Sequence, residues 1–189
     1  MGLKIERKAD VRVNKCILNR VADIPGGVTI KTSVLGGLAL VEGTPIGPVA
    51  GDMYSVTKTA KVITEAGIAA VTYEVAKGSH FKVGDFFGTA ALAGKAITAI
   101  DKTTSTAKDT ITLATTLGAV VAVGTVAIQT ADGGMVPLVT PTAIAGSSHD
   151  VEVTNNLFVD AWLIAVVKAA SAPGVDAAVK TALKGVFYI

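Results

Sequence analysis

Apolar and polar side chains alternate with a period of two along much of this 189-residue chain, which predicts β-strands. Residues 96–118 are rich in threonine and predict a β-hairpin whose polar turn lies near residues 102–108. One helix is expected in residues 171–185, with Ser171 placed to cap it. Residues 186–189 predict a final strand whose apolar side chains need to be covered. The pattern therefore predicts a mainly β fold: a compact barrel or sandwich with β-corners, one C-terminal α-helix and an extended N-terminal arm.

A short pattern recurs three times. An apolar residue and two further residues precede a glycine, which is followed by a threonine or aspartate and then by an apolar strand. The three copies are residues 40–46, 81–87 and 121–127, with Gly43, Gly84 and Gly124 as their glycines. Glycine accepts the positive φ of a tight turn, and the next side chain can bond the turn backbone. We expect a β-corner at each copy, with Asp85 in the second turn accepting backbone N–H bonds. The pattern fits a true structural repeat and also three independent Gly-Thr turns.

The second copy brings a histidine, an aspartate and two lysines close together in the sequence, which raises the question of a reactive centre. Phe81, Val83 and Phe87 are expected to share one apolar strand face. His80 is then expected at a strand mouth on the surface, with no catalytic partner in the pattern. We interpret this stretch as a polar corner of the fold.

The composition favours an oligomer or an assembly subunit. Charged residues make up 17% of the chain and apolar residues 50%, so few charges are available to cover the surface. The longest apolar run, residues 117–128, is shorter than the about 20 residues that a membrane helix needs. The N-terminus lacks the apolar segment of a secretory signal. Cys16 is the only cysteine, which excludes an intrachain disulfide.

The charge is concentrated at the N-terminus. Residues 1–20 contain six basic and two acidic side chains, a net +4, and the remaining residues sum to −2, since the whole chain carries +2. A total this small does not argue for nucleic-acid binding. The arm is expected either to add a strand to a neighbouring subunit or to form the first strand of its own domain. We divide the chain into this arm with the first strands (residues 1–37), a barrel-like body (38–147) and a strand–helix–strand segment that completes the body (148–189).

No stretch of the sequence carries a catalytic or cofactor signature. The two histidines, His80 and His149, are 69 residues apart, and no cluster has metal-ligand spacing. Ser148, His149 and Asp150 are adjacent, so on an extended chain they alternate between opposite faces and cannot relay protons. We therefore predict that the chain is not an enzyme, that it uses no metal or other cofactor, and that it has no small-molecule substrate.

Several segments together resemble the head-fibre and capsid-decoration proteins of tailed bacteriophages, in particular those of Bacteroides-type and crAss-like phages and prophages. They are ALVEGTPIGPVAGDMYSV, YEVAKGSHFKVGDFFG, AITAID, KDTITLATTLG and APGVDAAVKTALKGVFYI. The resemblance covers most of residues 38–189 in pattern and order, and it rests on structural turns. Residues 1–37 lie outside it.

The resemblance implies a β-rich subunit, commonly a trimer, that is made in the bacterial host cytoplasm and sits on the outside of the phage head. Its partners would be sister copies and the phage major capsid protein, with no nucleic acid and no membrane. It would stabilise the shell or carry a fibre. The residues expected to anchor it to an acidic capsid surface are Lys4, Arg7, Lys8, Arg12 and Lys15.

Two other functions stay open. One is a carbohydrate-binding or adhesin module displayed on a phage fibre, which would need an exposed aromatic platform. The residues that could contribute to such a platform are Tyr54, Tyr73, Trp162 and Tyr188. The other is an enzyme that uses Asp85 or His80 in a cleft completed by a neighbouring chain.

Overall fold

The computed structural model describes residues 15–152 and 154–189, and it confirms a mainly β fold, with 41% strand and 5% helix. The elements are β1 (Ile17–Asp23), β2 (Val28–Ile30), β3 (Ala39–Leu40), β4 (Pro45–Val49), β5 (Met53–Val56), β6 (Thr59–Lys61), β7 (Thr72–Ala76), β8 (Phe86–Gly88), β9 (Lys95–Asp101), β10 (Lys108–Leu113), β11 (Val126–Thr130), β12 (Ala143–Ala145), β13 (His149–Asp150), β14 (Leu157–Val159), β15 (Ala161–Val167), α1 (Ala177–Ala182) and β16 (Val186–Tyr188). A short 3₁₀ helix, Thr32–Val34, follows β2.

The middle of the chain forms a six-stranded antiparallel sheet in the order β6-β11-β8-β9-β10-β7. Its two end strands meet where Val62 forms a bridge with Val75 and the Ile63 N–H donates to the Glu74 carbonyl at 3.0 Å. The sheet therefore curls into a small barrel. The hairpin predicted in residues 96–118 is confirmed as β9 and β10, with its turn at residues 102–107.

Alternating apolar side chains fill the barrel. Tyr73, Phe81 and Phe87 are fully buried at its centre, with ring centroids of Phe87 5.3 Å from Tyr73 and 5.4 Å from Phe81. Val83 is 63% exposed, contrary to the face expected from the pattern. The reason is that residues 77–85 form no strand, and Val83 lies in the turn that leads to β8.

The two ends of the chain contribute to a second, eight-stranded sheet. Its order is β1-β15-β12-β4-β5-β2-β14, and β16 lies parallel beside β15. Strands from all three predicted segments pair here, and the proposed segment boundaries remain a prediction. One face of β15 and β16 buries Ala165, Val167 and Val186 against Val179 and Leu183 of the α1 region.

The three repeated glycines lie in turns with the same hydrogen-bond pattern. Gly43, Gly84 and Gly124 have φ values of 82°, 93° and 89°, in the left-handed region that glycine enters without a Cβ clash. The residue after each glycine donates its N–H to the carbonyl three positions earlier, at 3.1–3.2 Å, as in a β-turn. Each glycine N–H donates to another strand or its flank, at 2.7 Å, 3.0 Å and 2.8 Å respectively. A common geometry thus accompanies the three copies of the pattern.

The C-terminal helix is shorter than the sequence pattern predicts. It covers Ala177–Ala182, and its cap is Asp176, whose side chain accepts the Val179 N–H at 2.7 Å. The prediction that Ser171 caps the helix is wrong. Residues 172–176 adopt no helical turn, and Asp176 satisfies one of the free N–H groups in the first turn of the shorter helix.

The described part of the N-terminal region belongs to the chain's own sheet. Ile17 pairs with Val167, and the Glu42 carboxylate accepts the N–H groups of Cys16 and Ile17 at 3.2 Å and 2.8 Å. Burial raises the pKa of the Cys16 thiol to about 11, so the thiol stays protonated and donates to the Glu42 carbonyl at 3.1 Å. These contacts fix the point from which residues 1–14 extend.

The turn geometry predicts a stability difference between two exposed glycines. Replacing Gly84 with alanine should lower the free energy of unfolding by roughly 1–2 kcal/mol, because its φ of +93° strains any residue with a Cβ while the space around it is open. Gly67→Ala is the matched control, since Gly67 is equally uncrowded and has no positive φ, and it should be neutral or slightly stabilising. Urea unfolding followed by the fluorescence of the single tryptophan measures both. Equal effects of the two substitutions would contradict the assigned turn.

Candidate functional site

Asp85 lies in the second repeated turn and is the centre of a polar cluster. Its Oδ2 accepts the backbone N–H of Lys82 at 2.8 Å, as expected for a turn aspartate, and the ammonium of Lys58 at 2.7 Å. Its Oδ1 accepts the side-chain amide of Gln129 at 2.9 Å. The carboxylate therefore ties the turn to β11 and to the link between β5 and β6, with both of its oxygens hydrogen-bonded.

Lys58 is the residue of this cluster that the sequence did not reveal. Only 3% of its side chain is exposed, although it sits between threonines in the short link from β5 to β6. Burial lowers the pKa of Lys58, and the hydrogen bond to Asp85 opposes that shift. Its partner is 27 residues away, so no local spacing could have identified the pair.

The Lys58–Asp85 pair lies on the floor of an open cleft of about 570 Å³ between the two sheets. The polar lining comprises Lys31, Ser33, Ser55, Lys58, Lys82, Asp85 and Gln129. The apolar lining includes Val34, Val49, Met53, Val83, Leu138 and Val139. Three lysines face one aspartate, so the lining carries a net charge of +2. This surface is suited to an anionic group attached to an apolar one.

His80 is buried, which makes the prediction of a surface histidine wrong. It is 7% exposed, and its Nδ1 accepts the Gly37 N–H at 3.2 Å. Burial lowers the pKa of His80 to about 4, and the charges of Lys102 and Lys58 act in the same direction. The imidazole is therefore neutral and enclosed where the loop around Gly37 closes over the barrel.

Lys102 completes this junction between the sheets. Its ammonium donates to the carbonyls of Gly36, Ser79 and Phe81 at 2.8 Å, 2.8 Å and 2.9 Å. Nearby, the fully buried Asp109 accepts the N–H groups of Gly78 and Ser79 at 3.1 Å and 3.0 Å. These charged groups hold backbone in place, and the Gly37 N–H occupies His80 Nδ1.

A second polar cluster lies at the end of β12. Ser147 Oγ is 2.8 Å from His149 Nε2 and donates to Asp160, while Trp162 Nε1 donates to the other Asp160 oxygen at 3.1 Å. The serine lies between the acid and the histidine, which differs from a proton relay, in which the histidine is central. Ser148 instead accepts the Glu42 N–H at 2.9 Å, and Asp150 is exposed.

The four aromatic residues considered for a platform are covered to different degrees. Tyr73 is fully buried, and Tyr54 and Tyr188 are half-buried. Trp162 is also half-buried, with the Arg20 guanidinium 5.4 Å from its ring centroid. Arg20 further donates to the Gly146 carbonyl at 2.6 Å, which holds it over the ring. The structure does not bring these four residues together into one exposed platform.

The surface of β15 and β16 that faces away from the core is apolar. Val166 and Phe187 are direct neighbours across the two strands, and Ile164 and Ile189 lie two residues from them on the same side. Phe187 is 58% exposed and Ile189 is 70% exposed, so the cover expected for the final strand is not provided by the described chain. We call Ile164, Val166, Phe187 and Ile189 the outer apolar face.

The predicted anchoring residues fall mostly beyond the described chain. Lys4, Arg7, Lys8 and Arg12 lie outside the described residues, and Lys15 is exposed immediately before β1. The turn residues Gly43, Gly84, Asp85 and Gly124 lie in three separate turns and form no common site.

Within residues 15–152 and 154–189, no three His, Cys, Asp or Glu side chains are grouped so that they could hold a metal ion. The same part of the chain contains no helix with the length and apolar character needed to cross a bilayer. Comparison with protein-family models, with curated proteins and with solved structures gave no match.

The buried, neutral His80 predicts an acid-sensitive stability. As the pH falls from about 6.5 towards 4, the unfolded chain binds a proton at this histidine and the folded chain does not, so stability is lost in that window. Between pH 7 and pH 4.5 the loss attributable to His80 should be roughly 2 kcal/mol. In the variant His80→Asn, the side-chain oxygen can still accept the Gly37 N–H. Its loss of stability between pH 7 and pH 4.5 should be smaller than that of the unaltered chain by roughly 2 kcal/mol. Urea unfolding at both pH values measures it, and an unchanged decline would exclude His80 as its source.

Proposed function

We propose that this chain is a structural virion protein that binds the outside of a tailed-phage head as an oligomer, preferably a trimer, and stabilises the shell or carries a fibre. It acts by contact and does not turn over a substrate. The proposal combines the resemblance of residues 38–189 to head-fibre and decoration proteins with the surface of the described chain.

The observation that carries the proposal is the outer apolar face. Exposed apolar side chains grouped on one surface mark a protein–protein contact, since isolated ones would need no explanation. β16 pairs only with β15 among the described strands, so its other edge has backbone groups free to pair with another chain. Leu18 lies on β1, which pairs with β15. It is 57% exposed and adds to the apolar surface on this side of the sheet. A sister copy that covers this region would shield the exposed apolar side chains from water and pair the free backbone groups of β16.

The engagement of the polar side chains also supports a binding role. Asp85, His80 and Asp109 are the residues most suggestive of chemistry, and each one bonds backbone or a neighbouring side chain within the fold. Such groups position turns, whereas a catalytic group needs a free atom directed at a substrate.

The basic arm supplies the second contact of the proposal. Residues 1–14 precede Lys15, and the bonds from Glu42 to Cys16 and Ile17 fix where they leave the body. The arm would lie along an acidic capsid surface or add a strand to a capsid sheet edge.

The first test concerns the oligomer. Sedimentation equilibrium should give the mass of a trimer for the unaltered chain. Phe187→Lys combined with Ile189→Lys should raise the dissociation constant at least about a hundredfold, because each apolar side chain buried at an interface contributes about 1.5–3 kcal/mol. The matched control, Val120→Lys with Val123→Lys, alters side chains that are 57% and 60% exposed on the barrel and should leave the mass unchanged. A monodisperse monomer of the unaltered chain would contradict the proposal.

The second test concerns the arm. Deleting residues 1–14 keeps the Glu42 bonds and β1, so the oligomer should persist while co-sedimentation with heads of the encoding phage, purified without this protein, is lost. Charge reversal of Lys4, Arg7, Lys8 and Arg12 to glutamate should have the same effect, and binding of the intact chain should weaken as salt is raised. Normal decoration by the deleted chain would leave the arm without an anchoring role.

A further inference from the structure

The cleft between the two sheets contains a cation whose hydrogen-bonding capacity is only partly used. An ammonium has three N–H donors. For Lys58, the one acceptor found among the described residues is Asp85 Oδ2. Lys58 is 97% covered by the rest of the chain yet lines the cleft, so its remaining donors have access to an acceptor only there. A buried ammonium with unused donors favours a ligand that carries an oxygen anion.

Two further lysines surround this floor. Lys82 extends from the Gly84 turn and donates to the Ser33 carbonyl at 2.8 Å, and Lys31 directly follows β2, two residues before Ser33. Asp85 is the one acidic side chain in the lining, and it is already bonded to Lys58, Lys82 and Gln129. The net charge of +2 in the lining is therefore available to attract an external carboxylate.

The rim of the cleft is apolar and exposed. Val83 is 63% exposed and Leu138 is 54% exposed, and both line the cleft. The loop that carries Leu138 also exposes Met135 at 50% and Val136 at 70%. A small ligand on the floor would leave these side chains in water, whereas a polypeptide that crosses the cleft would cover them on both sides of its charged residue.

We propose that this cleft docks an extended segment of a protein partner in which an acidic side chain is flanked by apolar ones. The carboxylate occupies the floor beside Lys58, within reach of Lys31 and Lys82, and the flanking side chains pack on Val83 and Leu138. The inference rests on the proposed function in that the partner is a protein, and it adds a contact on the body that is independent of the basic arm.

The test uses a labelled peptide and the intact chain. A fluorescein-labelled peptide SLELS should bind in a polarisation assay, and SLQLS, which lacks the negative charge, should bind at least about tenfold more weakly. Lys31→Ser combined with Lys82→Ser should weaken SLELS by a similar factor while leaving the Lys58–Asp85 pair intact. The matched control, Lys61→Ser with Lys184→Ser, removes two exposed lysines outside the cleft and should leave binding unchanged. Leu138→Ser should weaken both peptides.

The inference is overturned by no binding of SLELS, by equal binding of the two peptides, or by an unaltered affinity in the Lys31/Lys82 variant. Free 4-methylpentanoate serves as a competitor, and displacement of SLELS at equal concentrations would assign the cleft to a small carboxylate and exclude a docking segment. The assay needs neither the phage head nor the arm. Its failure is therefore separate from a failure of the oligomer and arm-deletion tests.

Discussion

The junction of the two sheets depends on one ammonium group, that of Lys102. Backbone carbonyls in a buried junction between sheets need hydrogen-bond donors, because an unpaired buried carbonyl destabilises the fold. Lys102 supplies one donor to Gly36, in the loop after β2, and two to Ser79 and Phe81, in the segment between β7 and β8. Since Phe81 leads directly into the turn of Gly84 and Asp85, the same contact sets the position of the Lys58–Asp85 pair and of the cleft above it.

Charged groups near the junction and apolar side chains on the surface are satisfied to different degrees within the described chain. The charged residues nearest the junction, among them Asp85 and Asp109, hold turns and loops. The outer apolar face and the apolar rim of the cleft remain in contact with water. Interactions within the chain thus engage these two aspartates, whereas two apolar surfaces of the described chain are not covered by it. That division is the physical basis for proposing a subunit of an assembly.

Turns and the hairpin could be predicted from the sequence because they depend on residues that are neighbours along the chain. The turns at Gly43, Gly84 and Gly124 follow from the freedom of glycine at positive φ, and the β9–β10 hairpin follows from alternation and threonine content. Predictions failed where two local signals competed. Ser171 and Asp176 are both good caps, and the start of the helix at residue 177 selected Asp176. Val83 matched the strand period but lies in the turn, where alternation no longer determines burial.

The sequence by itself determined the β class of this protein, its corners and its lack of a local catalytic motif, because these depend on neighbours along the chain. Only the tertiary structure decided that His80 is buried and that Lys58 meets Asp85. It also decided that Phe187 and Ile189 remain uncovered by the described chain. The reason is that burial and pairing depend on residues 27 or more positions away or on how strands are ordered in a sheet, and a period of two carries no information about either.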